Sequence, residues 1–388
     1  MDNFIYQNPT KIIFGRDTHK NVGDEVALYG KKILLHYGGS SIKKSGLYDV
    51  VIDSLKKNNI EVFELSGVVP NPHLAMVYEG IKICKDNDID FILAVGGGSV
   101  IDSAKAISGG VNYDGDIWDL LGSAKPYDKG LPYGCILTLP ATGTEMNHRS
   151  VITNEKTKEK RGTSFAFPTF SILNAELCAT LPKHQVANGI VDMHAHLLER
   201  YFTTSSNVEV SDRLLEADMK TIMNLAKDVY DDPTNYEKYS QIMWAGTIAH
   251  NYLLCCGRTT DWASHQIEHE ISGMYEEIAH GAGLAVIFPA WMKHVYKVDL
   301  NRFAQFAVRV MNVEMDYDDL EKTAYKGIVA LENFYESLDM PKTLSDLGIK
   351  ESDIDTLAKN ATRNGTKVQG VFKKLETLDI KEILLLAK

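Results

Sequence analysis

Cysteine is scarce in this chain. Five occur in 388 residues, Cys84, Cys135, Cys178, Cys255 and Cys256, too few and too scattered for a disulfide scaffold. The adjacent pair Cys255-Cys256 reads as two free thiols, since neighbouring cysteines bridge only with strain. Long apolar runs are also missing. Stretches such as Phe91 to Val95 fall far short of a membrane span. No basic block stands out among 41 Lys+Arg against 52 Asp+Glu, and the net charge is −11, so no nucleic-acid partner is expected. The start, MDNFIYQNPTKIIFG, has neither a basic n-region nor a long h-region, which predicts an unexported, cytoplasmic protein. No repeat and no Ser/Gly linker is visible. What remains is an ordinary globular composition, 44% hydrophobic and 24% charged, with length enough for two sizeable cores.

Two periodicities alternate in the first half. KKILLHYG (31–38), IEVFEL (60–65), DFILAV (90–95) and CILTLPAT (135–142) read as strands. Between them, SGLYDVVIDSLKKNN and NPHLAMVYEGIKICKDND carry apolar residues at helical spacing, the second with Pro72 near its start. Strands alternating with helices predict a parallel sheet with crossover connections. YQNPTKIIFGRD adds a further strand or hairpin. After about residue 180 nearly every segment reads as helix. The expectation is an α/β domain over 1–180 and an all-helical domain over 181–388, sharing a cleft, with the boundary near Leu177 to Lys183.

Gly96-Gly97-Gly98-Ser99 follows a buried strand and opens a helix. Glycine lets a backbone approach a phosphate closely, and a helix N-terminus presents unpaired N–H groups. The spacing is not G-x-G-x-x-G, so a tight turn and a diphosphate cradle remain equally open. A second turn, Gly38-Gly39-Ser40-Ser41, follows the earlier strand, where doubly wound folds commonly handle a ribose. It holds no carboxylate, so a 2′-phosphate is not repelled.

Asp192 and His196 are four apart on an expected helix and share one face. His265 and His269 repeat that spacing, and His280 follows. A carboxylate and imidazoles suit a divalent transition metal with an open position for substrate. With 12 histidines in the chain, chance clustering is the competing explanation. His194 points about 200° away from Asp192 around the helix and reads as packing.

VVPNP (68–72), GGGSVIDSAKA (96–106), TLPATGTEMN (138–147), VITNEKTKEK (151–160), LPKHQVANGIVDMHAH (181–196), DWASHQIEHEISGM (261–274) and AHGAGLAVIFPAWM (279–292) together resemble the iron-containing, group III alcohol dehydrogenases. The likeness is to their NAD(P)H-dependent butanol dehydrogenase and aldehyde reductase branch, over essentially the whole chain. It implies an N-terminal dinucleotide-binding α/β domain and a helical metal-binding domain. It implies metal ligands Asp192, His196, His265 and His280 for one Fe²⁺ or Zn²⁺, and a catalytic His269 near the substrate. Cofactor contacts would fall on Gly38, Gly39, Ser40, Gly97, Gly98, Ser99, Asp102, Thr138, Thr142, Lys160 and Leu181. The partners implied are NAD(P)H, a small aldehyde or alcohol, and a second copy in a homodimer. Three places depart from the pattern. His148 and Arg149 stand where small or amide residues are usual. His265 and His280 are one residue further apart than expected. RGTSFAFPTF (161–170) is short, with Asn174-Ala175 after it. A lactaldehyde- or polyol-type reductase and a catalytically impaired relative that still binds nucleotide and metal remain the alternatives.

Overall fold

The computed structural model describes residues 1–388. Eight strands are present: β1 (Lys11–Phe14), β2 (Lys32–Tyr37), β3 (Glu61–Leu65), β4 (Phe91–Gly97), β5 (Tyr133–Leu139), β6 (Arg149–Asn154), β7 (Glu159–Ser164) and β8 (Phe170–Leu173). The helices of the first half are α1 (Val22–Val26), α2 (Ser41–Lys44), α3 (Leu47–Lys57), α4 (Leu74–Asp86), α5 (Gly98–Val111) and α6 (Ile117–Leu120). Those of the second half are α7 (Lys183–Tyr201), α8 (Glu209–Asp231), α9 (Tyr236–Ala249), α10 (Ala263–Met274), α11 (His280–Val295), α12 (Leu300–Arg309), α13 (Leu320–Glu336), α14 (Ile354–Ala361) and α15 (Thr377–Leu386).

Six strands form one sheet in the order β1-β8-β5-β4-β2-β3, and all its pairings are parallel. The four strands expected between residues 31 and 142 are β2 to β5. The segment near the start is a single edge strand, β1, beside β8, and not a hairpin. The sequence reading missed β8, a run of only four residues, and the antiparallel ribbon β6–β7. Central strands read as continuous apolar runs because helices cover both faces of a parallel sheet. On one face Ile33, Leu35, Leu93, Val95, Ile136 and Ile172 pack with Val51 and Leu55 of α3. Phe91 and Phe170 stack there with centroids 5.7 Å apart. Each such side chain contributes roughly 1.5–3 kcal/mol when fully buried.

Strand order reverses between β2 and β4. β3 lies outward of β2 on one side, and β5 lies outward of β4 on the other. Ligands in doubly wound sheets bind beyond the carboxyl ends of the strands at such a reversal. Tyr37 pairs with Val95, so both glycine turns leave the sheet there, side by side.

Contacts divide the chain into two units, and one cut near residue 180 does not describe them. The α/β unit holds Gln7–Pro182 together with Asp232–Asn251, and the helical unit holds Met1–Tyr6, Lys183–Asp231 and Tyr252–Lys388. α9 therefore belongs to the α/β unit. Thr247 on α9 donates to the buried Glu145 carboxylate at 2.5 Å. Arg16 stacks over Tyr236 at 3.6 Å. A Cβ on Gly143, where φ is +58°, would lie 2.8 Å from Cβ of His250.

Candidate metal and cofactor sites

In the helical unit, α7 is buried over most of its length because it packs between α8 and α11. Asp192 and His196 share one stripe of it, as their spacing predicts. α10 opens at Trp262, whose φ of +86° is left-handed, an unusual state for a bulky residue. α11 starts at His280, six residues after Met274, and the loop between them is long enough to absorb the extra residue noted between His265 and His280.

Asp192 Oδ1 is the hub. His196 Nδ1 lies 3.7 Å from it, His280 Nε2 3.8 Å and His265 Nε2 4.0 Å. These gaps are too long for hydrogen bonds. Ligands about 2.1 Å from one tetrahedral ion sit roughly 3.4 Å apart, so the gaps are close to those of a shared metal. Asp192, His265 and His280 each offer a ligand atom within 4.8 Å of the others. His196 joins through Asp192, and its ring centroid is 4.8 Å from that of His265. His265 Nε2 is buried and makes no hydrogen bond. A buried lone pair without a donor costs free energy unless something else takes it, and one carboxylate with imidazole nitrogens is a donor set for a divalent transition metal. The residues present fit Fe²⁺ or Zn²⁺.

His269 lies one turn beyond His265, with its ring centroid 5.3 Å from that of His280. His194 is on the other side of α7. Its Nδ1 meets the Tyr335 hydroxyl at 3.2 Å, and burial holds the ring neutral, pulling its pKa down to about 3.

Two further carboxylates were missed from sequence. Glu199, 0% exposed in its side chain, contacts His265 Nδ1 at 2.7 Å. Glu268, also 0% exposed, contacts His280 Nδ1. Each continues the stripe of a ligand, at 196+3 and 265+3. That spacing was the available signal. α11 opens with small residues for a reason. A Cβ on Gly281 would fall 2.2 Å from the Asn188 carbonyl oxygen, and one on Gly283 would fall 2.7 Å from Glu268 Cγ.

In the α/β unit, β4 runs straight into α5 through Gly97 and Gly98. A Cβ on Gly98 would lie 2.6 Å from Thr142 Oγ1, and one on Gly97 would lie 3.1 Å from Leu139 Cβ. The turn is thus pressed against the segment that carries Thr138 and Thr142. Around Gly39 there is open space, with nothing within 4 Å of its would-be Cβ, and Ser40 is exposed. Ser99 lies in the first turn of α5, where the N–H groups have no intrahelical acceptor. Bare backbone at a helix start, on the switch point, fits a diphosphate.

Asp102 is held by protein groups. Its Oδ1 accepts from Thr144 at 2.5 Å and its Oδ2 from the Val151 backbone at 3.0 Å. Lys105, one turn on, is fully buried and donates to Asn147 Oδ1 at 3.0 Å and to the Arg149 carbonyl at 2.8 Å. Burial pulls its pKa down to about 8. This network ties the start of α5 to the 144–151 segment. Lys160 pairs with Thr153 on the β6–β7 ribbon, on the same face as Arg149. The Arg149 side chain is exposed, and its guanidinium lies over Gly162, 3.2 Å from where a Cβ would stand. His148 packs edge-on against Phe167 at 4.6 Å, and burial lowers its pKa to about 4. Leu181 closes the unit, its N–H bonded to the Cys178 carbonyl at 3.0 Å.

Two family models match the chain: iron-containing alcohol dehydrogenase over residues 9–175, and the C-terminal domain of the same family over residues 186–387. The chain belongs to the iron-containing alcohol dehydrogenase family. It sits in the butanol dehydrogenase and aldehyde reductase branch, and it is an oxidoreductase acting on alcohols. A probable NADH-dependent butanol dehydrogenase 1 of Bacillus subtilis is 47% identical, with 99% of both chains covered. The NADPH-dependent aldehyde reductase YqhD of Escherichia coli is 35% identical, with 98% of each chain covered. The crystal structure of an NADH-dependent butanol dehydrogenase A from Thermotoga maritima superposes with a TM-score of 0.95 at 44% identity, covering 100% of this chain and 99% of that one. No helix of this family member is long and apolar enough to cross a membrane.

Proposed function

We propose that the chain interconverts primary alcohols of about butanol size and their aldehydes by hydride transfer with NAD(P)H. The observation that carries this reading is Asp192 Oδ1 with imidazole nitrogens of His196, His280 and His265 at 3.7, 3.8 and 4.0 Å. Relatives named for NADH and for NADPH both align along nearly the whole chain, which supports a nicotinamide cofactor of either kind.

Asp192, His196, His265 and His280 would hold the metal, which when bound supplies a Lewis acid for the carbonyl oxygen. Gly38, Gly39, Ser40, Gly97, Gly98 and Ser99 would receive the dinucleotide's phosphates and ribose on bare backbone and hydroxyls. Thr138, Thr142, Lys160 and Leu181 complete the set assigned to the cofactor, and Asp102 braces it from behind. His269 would exchange the alcohol proton at a ring nitrogen, with a water or hydroxyl between. A homodimer working in the cytoplasm, as the family resemblance suggests, belongs to the same proposal.

The test is a panel of aldehydes with NADH and NADPH, run on protein reconstituted with Fe²⁺ or Zn²⁺. Butanal reduction that depends on added metal is expected. Loss of cofactor oxidation with every aldehyde would overturn the reading. Light scattering checks the dimer.

A further inference from the structure

We propose that Glu199 and Glu268 are positioning residues of the metal centre, linked as a relay: α7 and α10, which supply ligands, each also supply the carboxylate that fixes the imidazole of the next helix. The inference rests on the metal site proposed above and adds two residues to it.

α7 carries Asp192, His196 and, on the same stripe, Glu199. Three N–H groups converge on that carboxylate. The Trp262 backbone donates to Oε2 at 2.6 Å, the His265 backbone donates to Oε1 at 3.1 Å, and His265 Nδ1 lies 2.7 Å from Oε1. Main-chain N–H groups can only donate, so both oxygens are acceptors, and the ring nitrogen brings the third hydrogen. An imidazole with its hydrogen on Nδ1 keeps its lone pair on Nε2. That is the nitrogen turned toward Asp192 Oδ1, 4.0 Å away.

α10 repeats the arrangement. It carries His265 and, three residues on, Glu268, whose Oε2 contacts His280 Nδ1. His280 Nε2 is then left facing Asp192 Oδ1 at 3.8 Å. Glu199 also braces the backbone of the next helix. Its carbonyl accepts from the Asp261 N–H at 2.9 Å, and its side chain holds the left-handed Trp262. α7 thus orients α10, and α10 orients α11.

A carboxylate behind a ligating histidine fixes its tautomer and ring angle and makes it a better donor. Losing one typically costs 10–100-fold in metal affinity.

Co²⁺ is the probe, titrated into metal-free protein and followed by its visible d–d absorption, for the parent, Glu199→Gln and Glu268→Gln. The thermal midpoint of each metal-free protein is measured alongside. Weakening of Co²⁺ binding by about 10–100-fold is expected for each variant, with an altered cobalt spectrum. A packing role alone would lower the midpoint and leave both the affinity and the spectrum of folded protein as in the parent; that result overturns the proposal. If Glu199→Gln fails to fold, the ¹⁵N spectrum of histidine-labelled parent decides. His265 and His280 must carry hydrogen on Nδ1 and none on Nε2, and the opposite tautomer overturns the proposal. A parent that binds no Co²⁺ would sink the metal site itself, while the ¹⁵N spectrum still judges the two carboxylates.

Discussion

Gly281 and Asn188 touch backbone to backbone: a Cβ on the glycine would stand 2.2 Å from the asparagine's carbonyl oxygen. In most helices Gly→Ala stabilises by up to about 1 kcal/mol. Here the neighbour is main chain and cannot swing aside. Gly281→Ala is expected to destabilise by roughly 1–3 kcal/mol and to weaken metal binding, because His280 is the preceding residue. Denaturant unfolding and a metal titration check both effects. An alanine variant as stable as the parent would show that α11 can shift away from α7.

His265→Ala removes a ligand and leaves its neighbours in place. Metal content and butanal reduction should fall together, with a loss of affinity larger than the roughly 10–100-fold typical of removing a carboxylate behind a ligand. His194→Ala should cost stability through the lost packing on Phe334 and Tyr335, with metal stoichiometry unchanged. Elemental analysis of both proteins is sufficient. A His194 variant stripped of metal beside a loaded His265 variant would reverse the ligand assignment.

The open space at Gly39 bears on cofactor choice. Gly39→Asp has room for its side chain, and its carboxylate would accept from a ribose 2′-hydroxyl and repel a 2′-phosphate. The ratio of kcat/KM for NADH over NADPH should rise at least tenfold, with no loss of stability. A strong parental preference for NADH that the substitution leaves unchanged would refute the placement of the ribose at this turn.

Asp218 on α8 sits in a low-dielectric environment that pushes its pKa up to about 7. The unfolded chain releases that proton near pH 4, and the folded protein keeps it until near pH 7. Between the two, the folded state binds more protons, so this group lowers stability as pH rises through the window, and its full cost applies above it. Asp218→Asn should raise the thermal midpoint at pH 8 and leave it nearly unchanged at pH 4. The gain is about 4 kcal/mol at most. Equal shifts at the two pH values would mean that desolvation is not the cause.

Part of this molecule was legible in the sequence. Gly96 to Ser99 lay between a buried strand and a helical period, and the structure makes it the β4–α5 turn at the strand-order reversal. Asp192 and His196 at four-residue spacing do share a stripe, and His194 does not. Other features were not decided by periodicity alone. A helix pattern says that Tyr236–Ala249 has an apolar face, not which core that face joins; the hydroxyl of Thr247 on Glu145 decides it. β8 is too short to show alternation. Glu199 and Glu268 look like solvent-facing charges in a helical sequence. Only the packing of α7, α10 and α11 reveals that these carboxylates are buried and aimed at histidines.

The membership of α9 in the α/β unit has a bearing on synthesis. The chain passes between units after residues 6, 182, 231 and 251, so neither unit is one continuous stretch. A fragment ending at residue 182 carries every strand of the sheet, yet leaves the Glu145 carboxylate without the Thr247 hydroxyl and Gly143 without its packing on His250. On the ribosome, the α/β half cannot reach its final contacts until residue 251 has emerged, by which point α7 and α8 have already been made.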